Sequence, residues 1–366
     1  MSSLSDSAAY MRGINNGYET KLQDDAPHLL NIDGDICHHI HNITKQFSSQ
    51  LDPENHLPHL LDDIHKDLEF SANIKDDFFN ICKILGVQEK QPKERVGHRW
   101  MSLYDSSKVF EEICDPLTLL YFSWLSAADK TLYQDSVFDI YKRHKVTAAG
   151  KQNIISIMRK LKAKNMTMLG RKRKERVCKK LFDKRRETDL LYNCILSIFP
   201  CFKAFVLAFE TKKPMLHKLY DNIVTLFKNF LKWFVMAQDL RETGKKLASL
   251  DLTDSSKFIL VDHIYTGECA TILSSMPKED SLEFKERLMT AYKTASMPKE
   301  DSLEFKERLM TAYKTTAVYM QKKMPLDNKL LTTLSLLDPL AFGQTETAIL
   351  LKKLPSFFPS VSAPSF

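Results

Sequence analysis

Glycine is scarce in this chain, and the scarcity limits the folds that the chain can adopt. Ten glycines occur among 366 residues, whereas a typical composition of about 7% glycine would give roughly 26. Glycine supplies the positive backbone φ angles that tight hairpin turns require. A sandwich or barrel of short strands is therefore disfavoured, and long helices are favoured.

Apolar residues recur at helical spacing along most of the chain. Leu57, Leu60, Leu61, Ile64 and Leu68 lie three or four positions apart, which is typical of an amphipathic helix. The same period predicts helices in five later segments, which are 106–125, 130–144, 151–164, 218–240 and 316–323.

These patterns predict a chain that is predominantly α-helical overall. We expect a partial α+β core over residues 1–101, with strands near its start and at 27–32 and helices at 7–22 and 36–47. A large helical domain is predicted from 102 to 352. The tail at 353–366 carries three prolines and four serines and is expected to be disordered.

A perfect internal repeat occupies part of the helical domain. The sequence SMPKEDSLEFKERLMTAYKT occurs at 275–294 and again at 296–315. Pro277 and Pro298 argue against one continuous helix, so two short helices in tandem are predicted. A solenoid would need three or more diverged copies. Complete identity indicates instead a recent duplication or an error in gene assembly.

Positive charge is concentrated in one segment. The net charge is +7, but residues 159–186 hold 14 Lys/Arg against two acids, Glu175 and Asp183. Two interpretations remain open: a solvated helical face, or a phosphate-binding surface that also fits a nuclear import signal. Phe182 is the only aromatic residue in the segment, which disfavours base stacking. The candidate cations are Arg171, Lys172, Arg173, Lys174, Lys179, Lys180, Lys184, Arg185 and Arg186.

Three histidines cluster in the stretch DGDICHHIHN at 33–42. His38 and His41 would share a helix face with Asn42 beside them. A structural zinc site needs four ligands, usually from two matching halves, and no second half occurs in the sequence. The spacing therefore favours a structural cluster. The seven cysteines include no CxxC pair, which indicates a reducing compartment rather than a disulfide framework.

Membrane and common enzyme classes find no support in the sequence. The longest apolar run, 195–209, is interrupted by Pro200 and Lys203 and is shorter than the about 20 residues that a bilayer requires. No basic-then-apolar leader opens the chain. Walker, GxGxxG, GxSxG and HExxH motifs are absent.

Three motifs in order resemble those of hAT-superfamily (hobo/Activator/Tam3) transposases. LSDSAAYMRGINNG at 4–17 resembles the segment around the family's second catalytic aspartate, with Asp6 at that position. DGDICHHIHN resembles the CxxH element: His38, His41 and Asn42 match, while Asp35 stands at the usual cysteine position. HRWMSLY at 98–104 resembles the RW motif, which precedes a large helical insertion.

The resemblance implies a ribonuclease-H-like core that uses three carboxylates and two divalent metal ions to cut and join DNA. Two Mg²⁺ or Mn²⁺ ions about 4 Å apart would clamp the attacking and leaving oxygens. Asp6 is the one catalytic carboxylate that matches within this sequence. We therefore expect an inactive enzyme that binds no metal cofactor unless the other carboxylates are supplied. The resemblance also implies that Trp100 stacks on an extruded base with Arg99 near a phosphate.

Two classes of function follow from these features. One is residual, sequence-nonspecific binding of DNA in the nucleus through the basic segment and Trp100. The other is a helical protein-interaction scaffold, or a non-functional transposon fragment, that acts through helical surfaces. No membrane partner is expected, and the oligomeric state stays open because the family's dimerisation segment is not matched.

Incubation with Mg²⁺ or Mn²⁺ and a labelled, hairpin-forming DNA is expected to yield no cleavage products, because one carboxylate cannot hold two metal ions. The readout is denaturing gel electrophoresis of the labelled strand. Metal-dependent cleavage would contradict this expectation.

Overall fold

A computed structural model describes residues 2–3, 30–31, 35–92, 94–95, 101–162, 166–210, 215–241, 244–274 and 302–338. Within these ranges the protein is predominantly helical, as predicted. Strands β1 (Ser2–Ser3) and β2 (Leu30–Asn31) pair in parallel. The helix predicted at 7–22, the first repeat copy and the tail at 353–366 lie outside the described residues.

The first eight helices lie between residues 36 and 178. They are α1 (Ile36–Leu51), α2 (His56–Glu69), α3 (Ala72–Leu85), α4 (Met101–Phe122), α5 (Ala127–Leu132), α6 (Gln134–Arg143), α7 (Ala148–Lys162) and α8 (Met168–Cys178).

The remaining helices follow a short π-helix at Lys179–Asp183. They are α9 (Arg185–Phe209), α10 (Leu216–Leu231), α11 (Gly244–Ala248), α12 (Cys269–Ser274), α13 (Ser302–Lys323) and α14 (Lys329–Leu334). Short 3₁₀ turns lie at Ala237–Leu240, Ser255–Lys257, Val261–His263 and Ser335–Leu337.

The chain divides into two compact units that do not follow sequence order. Unit 1 comprises 1–51, 200–265 and 306–366, and unit 2 comprises 52–199 and 266–305. The boundary predicted at residue 101 falls inside unit 2. The physical reason is packing: α2 and α3, which precede residue 101, contact α4, α7 and α8, which follow it.

Unit 2 is built around the amphipathic helix predicted at 57–68. The five predicted apolar positions of α2 are all buried, which confirms the helical pattern. The Asp52 carboxylate accepts hydrogen bonds from the backbone N–H groups of His56 at 2.7 Å and Leu57 at 2.9 Å. These bonds satisfy donors that a helix N-terminus otherwise leaves unpaired, and they fix where α2 begins.

Unit 1 has an aromatic core. The Tyr313 ring lies parallel to Phe234, with centroids 5.4 Å apart, and also contacts Phe47 and Phe230 at 5.6 Å. The Tyr313 hydroxyl donates to the carbonyl oxygen of Tyr265 at 2.8 Å. Tyr313 belongs to the second repeat copy, whose predicted stripe of Phe305, Leu309 and Tyr313 is fully buried on α13.

The helix predicted over 218–240 ends early. Helix α10 stops at Leu231, and Val235 forms an antiparallel bridge with Phe258. The N–H of Met236 donates to the carbonyl of Lys257, and the N–H of Ile259 donates to that of Phe234. Apolar residues keep their helical spacing beyond Leu231. There, however, backbone hydrogen bonds to residues 257–259 replace the bonds of a helix.

Helix α9 is long and apolar enough, by length and composition, to cross a membrane. Half of its most apolar stretch is buried within the protein, as in a helix that forms part of a core. The helix runs through Pro200 and Lys203, which were expected to interrupt it, and a single helix of this kind is weak evidence for a membrane span.

Tyr313→Ala is expected to lower the free energy of unfolding by about 3–5 kcal/mol, because it empties a core position among four aromatic rings, those of Phe47, Phe230, Trp233 and Phe234. Tyr313→Phe, which removes only the hydrogen bond to Tyr265, should cost about 1 kcal/mol. Urea unfolding followed by circular dichroism measures both. Tyr292→Ala makes the same change in the identical first copy and is the matched variant for comparison. An unchanged stability for Tyr313→Ala would contradict the assignment of Tyr313 to this core position.

Candidate nucleic-acid interface

The basic segment, residues 159–186, comprises the last turn of α7, α8, the π-helix and the start of α9. The Thr167 hydroxyl caps α8 by accepting the N–H of Gly170 at 3.1 Å. At Lys179–Asp183 the backbone widens, and the N–H of Lys184 donates to the carbonyl of Lys179, five residues back, at 2.9 Å. This bond spans five residues instead of the four of an α-helix, so the turn holds one extra residue.

Asp63 on α2 pairs with Arg176 on α8. Nε and Nη2 of Arg176 donate to the two carboxylate oxygens at 2.9 and 2.8 Å, a bidentate geometry. Hydrogen bonding to Asp63 raises the pKa of Arg176 above its ordinary value. Arg173 Nε lies 3.9 Å from the same carboxylate.

Asp67, one turn further along α2, is buried and has three partners. Its oxygens accept the Tyr121 hydroxyl at 2.9 Å and Arg173 Nη1 at 3.1 Å, and Lys174 Nζ lies 3.2 Å away. Lys174 is only 4% exposed, and its ammonium sits 4.7 Å from the centre of the Trp124 ring. Burial and the neighbouring Asp67 raise the pKa of Tyr121 well above its ordinary value.

Three further cations, at the π-helix and the start of α9, are also engaged within unit 2. Lys180 Nζ donates to the carbonyl of His56 at 2.7 Å, and burial lowers the pKa of Lys180. Lys184 lies 3.2 Å from Glu187. Arg185 Nε donates to Asp189 at 2.8 Å.

Four of the nine candidate cations therefore project into solvent without an ion pair to any described residue. They are Arg171, Lys172, Lys179 and Arg186. The other five, Arg173, Lys174, Lys180, Lys184 and Arg185, make the internal contacts given above. The basic segment is neither a uniformly solvated face nor a uniform phosphate-binding surface.

A buried arrangement resembling a catalytic triad lies beside the π-helix. His56 Nε2 is 2.7 Å from the Thr188 hydroxyl oxygen, and His56 Nδ1 is 3.7 Å from Glu187. The Thr188 hydroxyl donates to the carbonyl of Lys180 at 2.9 Å, and its side chain is fully buried. Because that proton is committed to a backbone carbonyl and the oxygen is closed to solvent, the arrangement fits a structural bridge between α2 and α9.

The histidine cluster forms the start of α1, as predicted. Asp35 caps this helix, since its carboxylate accepts the N–H of Cys37 at 2.9 Å and its carbonyl accepts that of His39. His38, His41 and Asn42 are half-buried on α1. Within the residues that the structure describes, no three His, Cys, Asp or Glu side chains form a group suited to a metal ion.

The thiols of Cys37 and Cys178 are poorly suited to nucleophilic or metal-binding chemistry, because their pKa values are raised. Burial, reinforced by Asp35, raises the pKa of the Cys37 thiol to about 11. Burial also raises the pKa of Cys178, on the basic segment, to about 12. Since the thiolate is the reactive and metal-binding form, neither thiol is activated.

Three predicted site residues, Asp6, Arg99 and Trp100, lie outside the described residues. The sequence interpretation also omitted two residues that shape this site, Asp63 and Asp67. Their signal was present: they lie four residues apart on α2, so their side chains share one helix face.

No protein-family model matches the chain, and neither a curated protein nor a solved structure matches it.

Asp67→Asn is expected to lower the free energy of unfolding by about 3 kcal/mol, because it leaves the buried ammonium of Lys174 without a counter-charge. Urea denaturation measures the loss. Adding Lys174→Met to the same chain should restore part of the stability, because an apolar stem then replaces the unpaired charge.

The exposed Lys172→Gln is the control and should change stability by less than about 0.5 kcal/mol. Equal stabilities for Asp67→Asn and the wild type would contradict the role given to this ionic cluster.

Proposed function

We propose that this protein binds nucleic acid through its phosphate backbone, without sequence preference, and that its contact surface is formed by Arg171, Lys172, Lys179 and Arg186. We call these four residues the exposed cation face. In this proposal the chain is a nuclear protein related to hAT transposases, with a partial ribonuclease-H-like core at 1–101.

The observation that carries the proposal is the sorting of the basic segment into paired and exposed cations. The paired cations hold α8 and the π-helix against α2, and the hydrogen bond between His56 and Thr188 joins α9 to α2, so the exposed cations are displayed from a fixed backbone. Cations without internal partners can exchange their counterions for phosphates, and this exchange drives nonspecific binding to nucleic acid.

The chemistry of the exposed cation face favours backbone contacts over base contacts. Lysine and arginine side chains on one surface neutralise phosphates, but they carry no sequence information unless they reach base edges in a groove. Phe182, the one aromatic residue of the segment, is buried and cannot stack on a base. Binding should therefore depend strongly on salt and weakly on sequence.

A second candidate function, a helical protein-interaction scaffold, is favoured by one observation. Met168 and Leu169, in the first turn of α8, are 74% and 76% exposed. Exposed large apolar side chains are favourable contacts for a protein partner. Duplex binding by the wild-type protein that does not weaken at high salt would favour neither function. No duplex binding by the wild-type protein at low salt would favour the scaffold.

Lys172→Glu/Arg186→Glu is expected to weaken binding to a fluorescent duplex of about 20 base pairs by tenfold or more at low salt, and to reduce the slope of log K against log[salt] by roughly 2. Fluorescence anisotropy at several salt concentrations measures both quantities.

The matched control is Lys322→Glu/Lys323→Glu, which removes two exposed lysines from the end of α13 and makes the same change in net charge. Equal losses in the two double variants would show that net charge alone governs binding, and the exposed cation face would be rejected.

A further inference from the structure

The two copies of the internal repeat have the same sequence, and the structure shows where the second copy packs. Residues 275–294 and 296–315 are identical and lie 21 positions apart. Residues 306–315 of the second copy belong to α13 and fill part of the aromatic core of unit 1. We call the space that residues 306–315 fill the α13 slot.

The side chains that fill the α13 slot occur in both copies. Leu309 and Tyr313 are fully buried there, and Lys306 Nζ donates to the Asp262 carboxylate at 2.7 Å. The same residues occur 21 positions earlier, at Lys285, Leu288 and Tyr292. Side chains at the same spacing on a helix share the same face. As a helix, the first copy therefore presents the same side chains to the α13 slot and can make the same contacts.

The residues that follow each repeat copy decide which copy is preferred. Beyond the second copy, α13 continues with Met320, which is fully buried, and with Gln321, whose Nε2 donates to the carbonyl oxygens of Leu247 at 3.0 Å and Leu250 at 2.9 Å. At the same spacing, the first copy is followed by Pro298, Lys299 and Glu300. A proline inside a helix breaks it, and a charged lysine at a buried position is costly. The second copy is therefore the favoured occupant, for reasons that lie outside the repeat.

The length of the chain permits the first copy to reach the α13 slot. Asp262, which Lys306 contacts in the slot, is joined to the first copy by residues 263–274. These residues span at most about 35 Å, because α12 within them rises only about 1.5 Å per residue. Residues 275–284 reach a similar distance when extended, so they can bring Lys285 back to the Asp262 carboxylate.

We propose that the α13 slot has two alternative occupants in the same chain. The second copy fills it in the structure, and the first copy takes its place when the second copy cannot dock. The exchange shifts the chain by one repeat length, so that residues 316–323 leave their contacts with Leu247 and Leu250. The repeat is thus a conformational device that keeps the core of unit 1 filled. This exchange is independent of the proposed duplex contact, because the exposed cation face belongs to unit 2.

Leu309→Asp tests the exchange, because a charge at this fully buried position prevents the second copy from docking. Hydrogen exchange of the α10 amides, measured by mass spectrometry on the full chain, reports on the α13 slot, since Phe230 of α10 contacts Tyr313. We expect Leu309→Asp to keep the α10 amides protected and to lower the urea midpoint, because the first copy then fills the slot with fewer contacts.

Leu288→Asp makes the same change in the first copy and is the matched control, which should change neither the α10 protection nor the urea midpoint. Leu288→Asp/Leu309→Asp disables both copies and should speed exchange of the α10 amides by about 100-fold or more relative to Leu309→Asp. The excess loss in the double variant is the signature of the exchange, because the first copy then matters only when the second copy is disabled.

Equal α10 exchange rates in Leu309→Asp and in the double variant would overturn the proposal. Fast exchange in both would show that the first copy does not fill the α13 slot, and slow exchange in both would show that α10 is protected without either copy. Size-exclusion chromatography of Leu309→Asp should give the elution volume of the wild type. Protection of α10 in a larger oligomer alone would assign the slot to the repeat of a second molecule and would overturn exchange within one chain.

Discussion

The packing of the helices in unit 2 depends on the contacts of the Asp67 carboxylate. It is buried, and it joins three helices: its own helix α2, α4 through the Tyr121 hydroxyl, and α8 through Arg173 and Lys174. Removing ions from water costs several kcal/mol per charge, and this cost is offset only when the remaining hydrogen-bonding sites are filled. Three partners fill them here. The pairing thus fixes the register of α8 on α2 more firmly than apolar contacts alone would.

This pairing changes what the basic segment can do. A local excess of positive charge in a sequence indicates a potential interface, but the excess counts every cation as if it were exposed. In the folded protein Asp63 and Asp67 neutralise the face of α8 that looks toward α2, and Glu187 and Asp189 engage the cations that follow the π-helix. What remains for a partner is a narrower set of charges with a fixed backbone beneath it.

The helical elements were predictable from sequence because they depend on local periodicity. The stripe of α2 and the repeat stripe on α13 both proved to be core positions. The end of α10 was not predictable in this way, since bonds to residues 257–259 replace the helical ones. The pairing of α2 with α8 was also out of reach: Arg173 and Arg176 lie 106 and 113 residues from their acids. Spacing along one helix identifies a face, but it does not identify the partner of that face.

The positions of the exposed cations carry a further electrostatic argument. Arg171 lies in the first turn of α8, where no acid offsets the partial positive charge of the helix N-terminus, whereas Arg186 lies in the first turn of α9 beside Glu187. A cation at this end of a helix is disfavoured by up to about 1 kcal/mol. A phosphate placed at the start of α8 would be attracted both by the Arg171 side chain and by the partial positive charge of that helix end. If Arg171 contacts a phosphate as proposed, the charge that is unfavourable in the unbound protein therefore favours the bound state.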